Sequence, residues 1–150
     1  MEPNAFEEVI RFALEREKEA VKFYQDCSDI SKRSGMKQAF LEMAGEEKKH
    51  VRLLENFKPG DINKVVIRKI PNLKVSDYMV DIPFSEDMGY QDLLILAMKK
   101  EESAFNLYTS LAATKDDPDL QKLFQMLAQE ELKHKNRLEK EYDDVVYGDN

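Results

Sequence analysis

Apolar residues recur at helical spacing in four stretches of the chain, and one stretch between them breaks the rhythm. In the first, Phe6, Ile10, Ala13, Leu14, Val21 and Tyr24 make a single stripe, because steps of three and four residues return to one helix face. Asn4 followed by Glu7 reads as a capping box opening this helix. Ser34-Gly35 reads as its end, since glycine is the common stop residue. A second stripe, Phe40, Met43, Ala44, Val51 and Leu54, predicts a helix over about 36–56 that Pro59-Gly60 closes. The short link makes these two an antiparallel hairpin. A third helix, with Ser85 as its cap, carries Leu93, Leu94, Ala97, Met98, Phe105, Tyr108 and Leu111. Asp117 suits the cap of the fourth and Pro118 its first position. Phe124, Leu127, Ala128 and Leu138 form its stripe as far as about Asp143. An acidic tail over about 143–150 is expected to fray.

Residues 57–84 read differently. Val65-Val66-Ile67 is β-prone, Pro71 and Pro83 break helices, and no long helical period runs through. A short strand pair would fit, but an extended crossover fits better. Helices of about 25 residues are about 38 Å long, and a link of this length can travel from one end of such helices to the other.

The two halves repeat. A shift of 84 places Ala13 on Ala97, Glu17 on Glu101, Ala20 on Ala104 and Tyr24 on Tyr108, then Phe40 on Phe124, Ala44 on Ala128, Glu47 on Glu131, His50 on His134 and Leu54 on Leu138. No gap is needed from residue 13 to 55. The expected architecture is all-α: a four-helix bundle of two related hairpins with a long crossover, forming a single domain over 1–150.

Polar residues interrupt the stripes at matching places. The chain has only two histidines, and each stands three residues after a glutamate, in Glu47-Lys48-Lys49-His50 and in Glu131-Leu132-Lys133-His134. That spacing points a carboxylate and an imidazole the same way, into the apolar stripe. Glu17 and Glu101 lie in the stripes of their own helices. A charge in a buried stripe is costly unless it is paired or binds metal. Glutamate fills 17 of 150 positions, so a lone Glu-x-x-His is usually a solvated pair. Two of them, using every histidine and aligned with two more buried glutamates, point to a metal centre with ligands Glu17, Glu47, His50, Glu101, Glu131 and His134. One glutamate from each of two helices and Glu-x-x-His from the other two is the ligand set of di-iron and di-manganese bundles. Carboxylate and imidazole suit iron, manganese or zinc better than calcium. Glu15, Glu19, Glu46, Glu102 and Glu130 fall about 100° or more around their helices and are expected at the surface. Met43, Met98 and Met126 are expected in the core. Tyr24 and Tyr108, two turns beyond Glu17 and Glu101, are core aromatics or reach a ligand carboxylate with their hydroxyls.

Composition narrows the function classes. The net charge of −7 argues against a nucleic-acid footprint. No run approaches a membrane span and none near Met1 looks like a signal peptide. Cys27 stands alone, so neither a disulfide framework nor a cysteine metal knuckle is expected, and a cytoplasmic protein fits.

At Glu17 with Tyr24, Glu47-x-x-His50, Glu101 with Tyr108 and Glu131-x-x-His134, the chain resembles the rubrerythrin-like branch of the ferritin-like superfamily. The resemblance covers about 13–56 and 97–140. It implies a ferritin-like four-helix bundle, two iron ions, chemistry with oxygen or peroxide, and tyrosines at 24 and 108 bonded to ligand glutamates. Two departures stand out. One cysteine cannot build the rubredoxin domain of full rubrerythrins, so electrons must come from a separate donor such as a rubredoxin. Ala104 stands where rubrerythrins carry a further glutamate used in redox-dependent ligand exchange.

Three readings follow. The first is a di-iron oxidoreductase reducing hydrogen peroxide or oxygen. The second is ferrous iron oxidation with binding or storage. The third is a non-catalytic helical module with a structural metal. No membrane or nucleic-acid partner is expected, and a homodimer is compatible with all three.

Overall fold

In the computed structural model, residues 3–58, 82–114 and 117–147 are described. Four helices account for most of them: α1 Pro3–Ile30, α2 Ser34–Asn56, α3 Tyr90–Thr114 and α4 Pro118–Tyr147. No strand occurs among the described residues. The chain divides into two compact units, Met1–Asp61 and Ile62–Asn150. The expected crossover lies largely outside the described residues, as do the strand-prone Val65-Val66-Ile67 and the stop at Pro59-Gly60.

In the first unit α1 packs on α2. Phe6, Ile10, Ala13, Tyr24 and Cys27 are buried on α1, and Phe40, Met43, Ala44 and Leu54 on α2. Leu14 and Val21, expected in the same stripe, are half-buried. The ring of Tyr24 stacks on Phe40 with centroids 6.2 Å apart. Phe6 stacks on Phe57 at the same centroid distance, which closes the open end of the hairpin.

The turn between these helices corrects two expectations. The first helix stops at Ile30, not at Ser34-Gly35. The Ser31 hydroxyl donates to the Cys27 carbonyl at 2.7 Å and the Lys37 ammonium donates to the Ser28 carbonyl at 3.0 Å. Terminal carbonyls of α1 are thereby satisfied by side chains, and the cation favours the negative end of the helix dipole. Ser34 and Gly35 instead open α2. Likewise α1 begins at Pro3, so Asn4 sits within its first turn and is not the cap. Proline suits that first position, where its missing N–H costs no helix bond.

In the second unit α3 packs on α4. Leu93, Leu94, Leu96, Ala97, Met98 and Tyr108 are buried on α3, with Phe105 and Leu111 half-buried. On α4 the buried face is broad, from Leu120 to Glu139. Tyr108 stacks on Phe124 with centroids 5.8 Å apart. The Asp117 carboxylate accepts from the Asp119 amide at 2.8 Å and, more loosely, the Leu120 amide at 3.4 Å, so it caps α4 as its position predicts.

Two boundaries differ here too. Ser85 opens a turn rather than α3: its carbonyl accepts from the Met88 amide and its hydroxyl bonds the Asp87 carboxylate. The helix starts one turn later, and the Gly89 carbonyl takes its first bond, from Leu93. At the other end, α4 runs past Asp143 to Tyr147, so most of the expected frayed tail is helical. The Tyr90 hydroxyl donates to Glu141 at 2.9 Å and holds that last stretch against α3. Burial, together with the Glu141 carboxylate, pushes the Tyr90 hydroxyl well above its ordinary pKa.

Candidate metal centre

Each hairpin gathers three of the six expected ligands. In the first, Glu17 comes from the middle of α1, and Glu47 and His50 from the facing turn of α2. Their exposures are 1%, 0% and 6%. His50 Nδ1 lies 3.4 Å from a Glu17 oxygen and 3.9 Å from a Glu47 oxygen. One donor atom from each residue lies within 4.8 Å of the others. The local cause is register: Glu17 continues the Phe6, Ile10, Ala13 row, and Glu47 and His50 continue Phe40, Met43.

The second hairpin does the same with Glu101 from α3 and Glu131 and His134 from α4. They are exposed by 3%, 1% and 4%. His134 Nδ1 is 3.8 Å from Glu101 and 3.9 Å from Glu131, and one donor atom from each again lies within 4.8 Å of the others.

Buried carboxylates with a ring nitrogen turned toward them are the donor chemistry of a divalent transition metal. Burial of two carboxylates beside one imidazole without a cation would be expensive, so each triad fits a metal ion. Tyr24 and Tyr108 each sit two turns along the same face from Glu17 and Glu101, each ring buried and stacked on a phenylalanine of the facing helix.

The surrounding charges sort less evenly than the sequence suggests. Glu15 and Glu19 are exposed, and Glu19 pairs with Arg16 at 2.9 Å. Glu46 is half-buried and bonds Lys49 at 3.1 Å. Glu102 and Glu130 are half-buried rather than at the surface. Glu130 places a carboxylate oxygen within 4.8 Å of a His134 ring nitrogen, because positions four apart are neighbours on a helix. Met43, Met98 and Met126 are core residues as expected.

A feature missed in the sequence is the buried ion pair of Lys135 and Glu139, 3.0 Å apart with both side chains fully enclosed. Lysine is almost never buried unless paired. The repeat carried a signal, since the 84-residue shift sets Lys135 on apolar Val51.

A family model described as Rubrerythrin matches residues 8–78 and 92–150. The chain belongs to the rubrerythrin family. Neither a curated protein nor a solved structure matches it. Membership sets the fold class as a ferritin-like four-helix bundle, with which the four helices agree. A rubrerythrin-family chain with carboxylate and imidazole triads is suggested to be a di-iron carboxylate protein. Its lone cysteine, Cys27, is buried in α1, so these 150 residues hold no rubredoxin domain. No described helix is long and apolar enough to cross a membrane.

Proposed function

We propose that this chain is a di-iron oxidoreductase that reduces hydrogen peroxide or oxygen with electrons from a separate donor protein. The observation that carries this is the pair of buried triads, each with three donor atoms within 4.8 Å of one another. Glu17, Glu47, His50, Glu101, Glu131 and His134 would together hold two iron ions, whose four positive charges as divalent ions equal the charge of four carboxylates. When bound, two ferrous ions supply the two electrons that reductive splitting of a peroxide O–O bond requires.

The chain's own residues do the rest. His50 and His134 turn Nδ1 toward their carboxylates, so each would bind through Nδ1 with its proton on Nε2. Burial of all six keeps bulk water from the ligands. Tyr24 and Tyr108 would orient ligand carboxylates through their hydroxyls. Cys27 cannot form a cysteine-rich relay, so a protein such as a rubredoxin would deliver electrons in a reducing cytoplasm. A homodimer is compatible with this reading.

Ala104 favours a second reading. It occupies the place of the family's further glutamate, so the redox-dependent ligand exchange that the resemblance implies for peroxide chemistry has no carboxylate at that position, and ferrous oxidation with iron binding becomes the alternative. Anaerobic stopped-flow mixing separates the two. Ferrous protein should be oxidised by one peroxide per two irons, faster than by oxygen, and should turn over with a reduced rubredoxin. Oxidation by oxygen far faster than by peroxide would replace the first reading with the second.

A further inference from the structure

Glu131, Lys135 and Glu139 follow one another along α4 at four-residue steps. The Lys135 ammonium therefore has a carboxylate one turn to either side. Helical side chains lean toward the N-terminus, and a glutamate four residues before a lysine makes a better pair than one four residues after. Local preference thus favours Glu131, a member of the second triad. The structure instead places the ammonium 3.0 Å from Glu139, while a Glu131 oxygen lies 3.9 Å from His134 Nδ1.

The first triad is built without such a pair. Val51 and Glu55 hold the matching positions, and Glu55 is exposed. Because Lys135 is fully buried, its charge cannot turn to water if Glu139 is lost. Glu131 is then the other carboxylate one turn away on the same helix, and an ammonium there would take an oxygen that a metal ion needs.

We propose that Glu139 is a positioning residue that keeps the Lys135 ammonium off Glu131 and so leaves Glu131 available as a ligand, an inference that rests on the di-iron reading above.

Cobalt(II) added to the metal-free full chain tests it, with calorimetry counting sites and the visible absorption of cobalt reporting ligation. Wild type should bind two ions. Glu139→Gln should weaken one binding step by about tenfold or more, the range seen when an outer partner of a ligand is lost, and leave the other within about threefold. Adding Lys135→Met should restore it. A simple change of charge would weaken both steps and would act with or without Glu131. The deciding arm is therefore Glu131→Gln, in which a further Glu139→Gln should change nothing. Full additivity there, wild-type affinity in Glu139→Gln, or failure of Lys135→Met to rescue would each overturn the proposal. If circular dichroism shows Glu139→Gln unfolded, Glu139→Asp takes its place. Its charge sits one methylene short, so a loss of about threefold is expected, and an unchanged affinity overturns the proposal. Wild type that binds two ions while the variants fail these expectations sinks the role of Glu139 alone. Wild type that binds none sinks the di-iron reading with it.

Discussion

The two hairpins can be laid on one another residue by residue, and they agree at some places and part at others. The triads match, and so do the stacks Tyr24 on Phe40 and Tyr108 on Phe124. At the open end, the first hairpin closes with Phe6 on Phe57. The same two places in the second are Tyr90 and Glu141, joined by a hydrogen bond. At the positions one and five residues after the histidine, the first hairpin has half-buried Val51 and exposed Glu55 where the second has the buried pair Lys135 and Glu139. The ligand positions thus tolerate quite different supports. A repeat preserves what the site needs and lets each half solve its packing separately.

The largest test of that difference is energetic. Lys135→Met removes the cation beside a buried carboxylate, which should cost about 3–5 kcal/mol. That lowers the melting temperature by about 10 °C in a chain of this size. Glu55→Gln, at the first-hairpin position that matches Glu139, should stay within about 0.5 kcal/mol. Lys135→Met with Glu139→Leu should recover wild-type stability or better, because an apolar replacement avoids the desolvation penalty. Scanning calorimetry of the metal-free proteins decides, and equal losses for Lys135→Met and Glu55→Gln would erase the asymmetry.

Metal should act on both halves alike. Ferrous ion at about 100 times its dissociation constant should stabilise the fold by about 2.7 kcal/mol, or roughly 5–10 °C. His50→Ala and His134→Ala should each lose most of that gain and most of the bound iron while their helical circular dichroism is unchanged. Full metal content in one variant and none in the other would show that the triads are not equivalent.

Smaller effects sharpen the match. Tyr24→Phe and Tyr108→Phe keep their stacks and should each weaken metal binding by about tenfold. Wild-type affinity in both would make the tyrosines plain core residues.

The smallest effect belongs to the open end. The Tyr90 hydroxyl has a raised pKa in the folded state, first from burial and then from Glu141. Its folded form therefore holds the proton more tightly than the unfolded chain. The stability it contributes is fully present below the unfolded value of about 10 and is lost as pH rises through the folded value. Tyr90→Phe should melt a few degrees below wild type at pH 7, and the gap should narrow above pH 10. A constant gap across that range would show that the hydroxyl holds its proton no more tightly in the fold than in the unfolded chain.

The sequence revealed some of this and concealed the rest for physical reasons. The triads were visible because glutamate and histidine interrupt an apolar stripe, and a stripe is a long signal. Asp117-Pro118 was visible because a cap is decided by its immediate neighbours. Ser34-Gly35 and Ser85 misled because serine and glycine serve turns and helix starts as readily as helix ends. There the choice fell to Lys37, which reaches across the turn to α1, and to the Ser85–Met88 turn. Lys135 and Glu139 were hidden because two charges of opposite sign look like a solvated helix pair. Only the depth of the α4 face makes them interior.

The three-residue link at 31–33 also sets an order in time. Contacts between α1 and α2 join residues close in sequence, so little chain entropy is lost in closing the hairpin and it can form quickly. During synthesis at about 5–20 residues per second, the first hairpin is complete seconds before the last residues of α4 are made. Glu17, Glu47 and His50 all belong to that early piece. A nascent chain that has reached Asp61 already carries two carboxylates and an imidazole in register, and its demand for a cation begins before the second half exists.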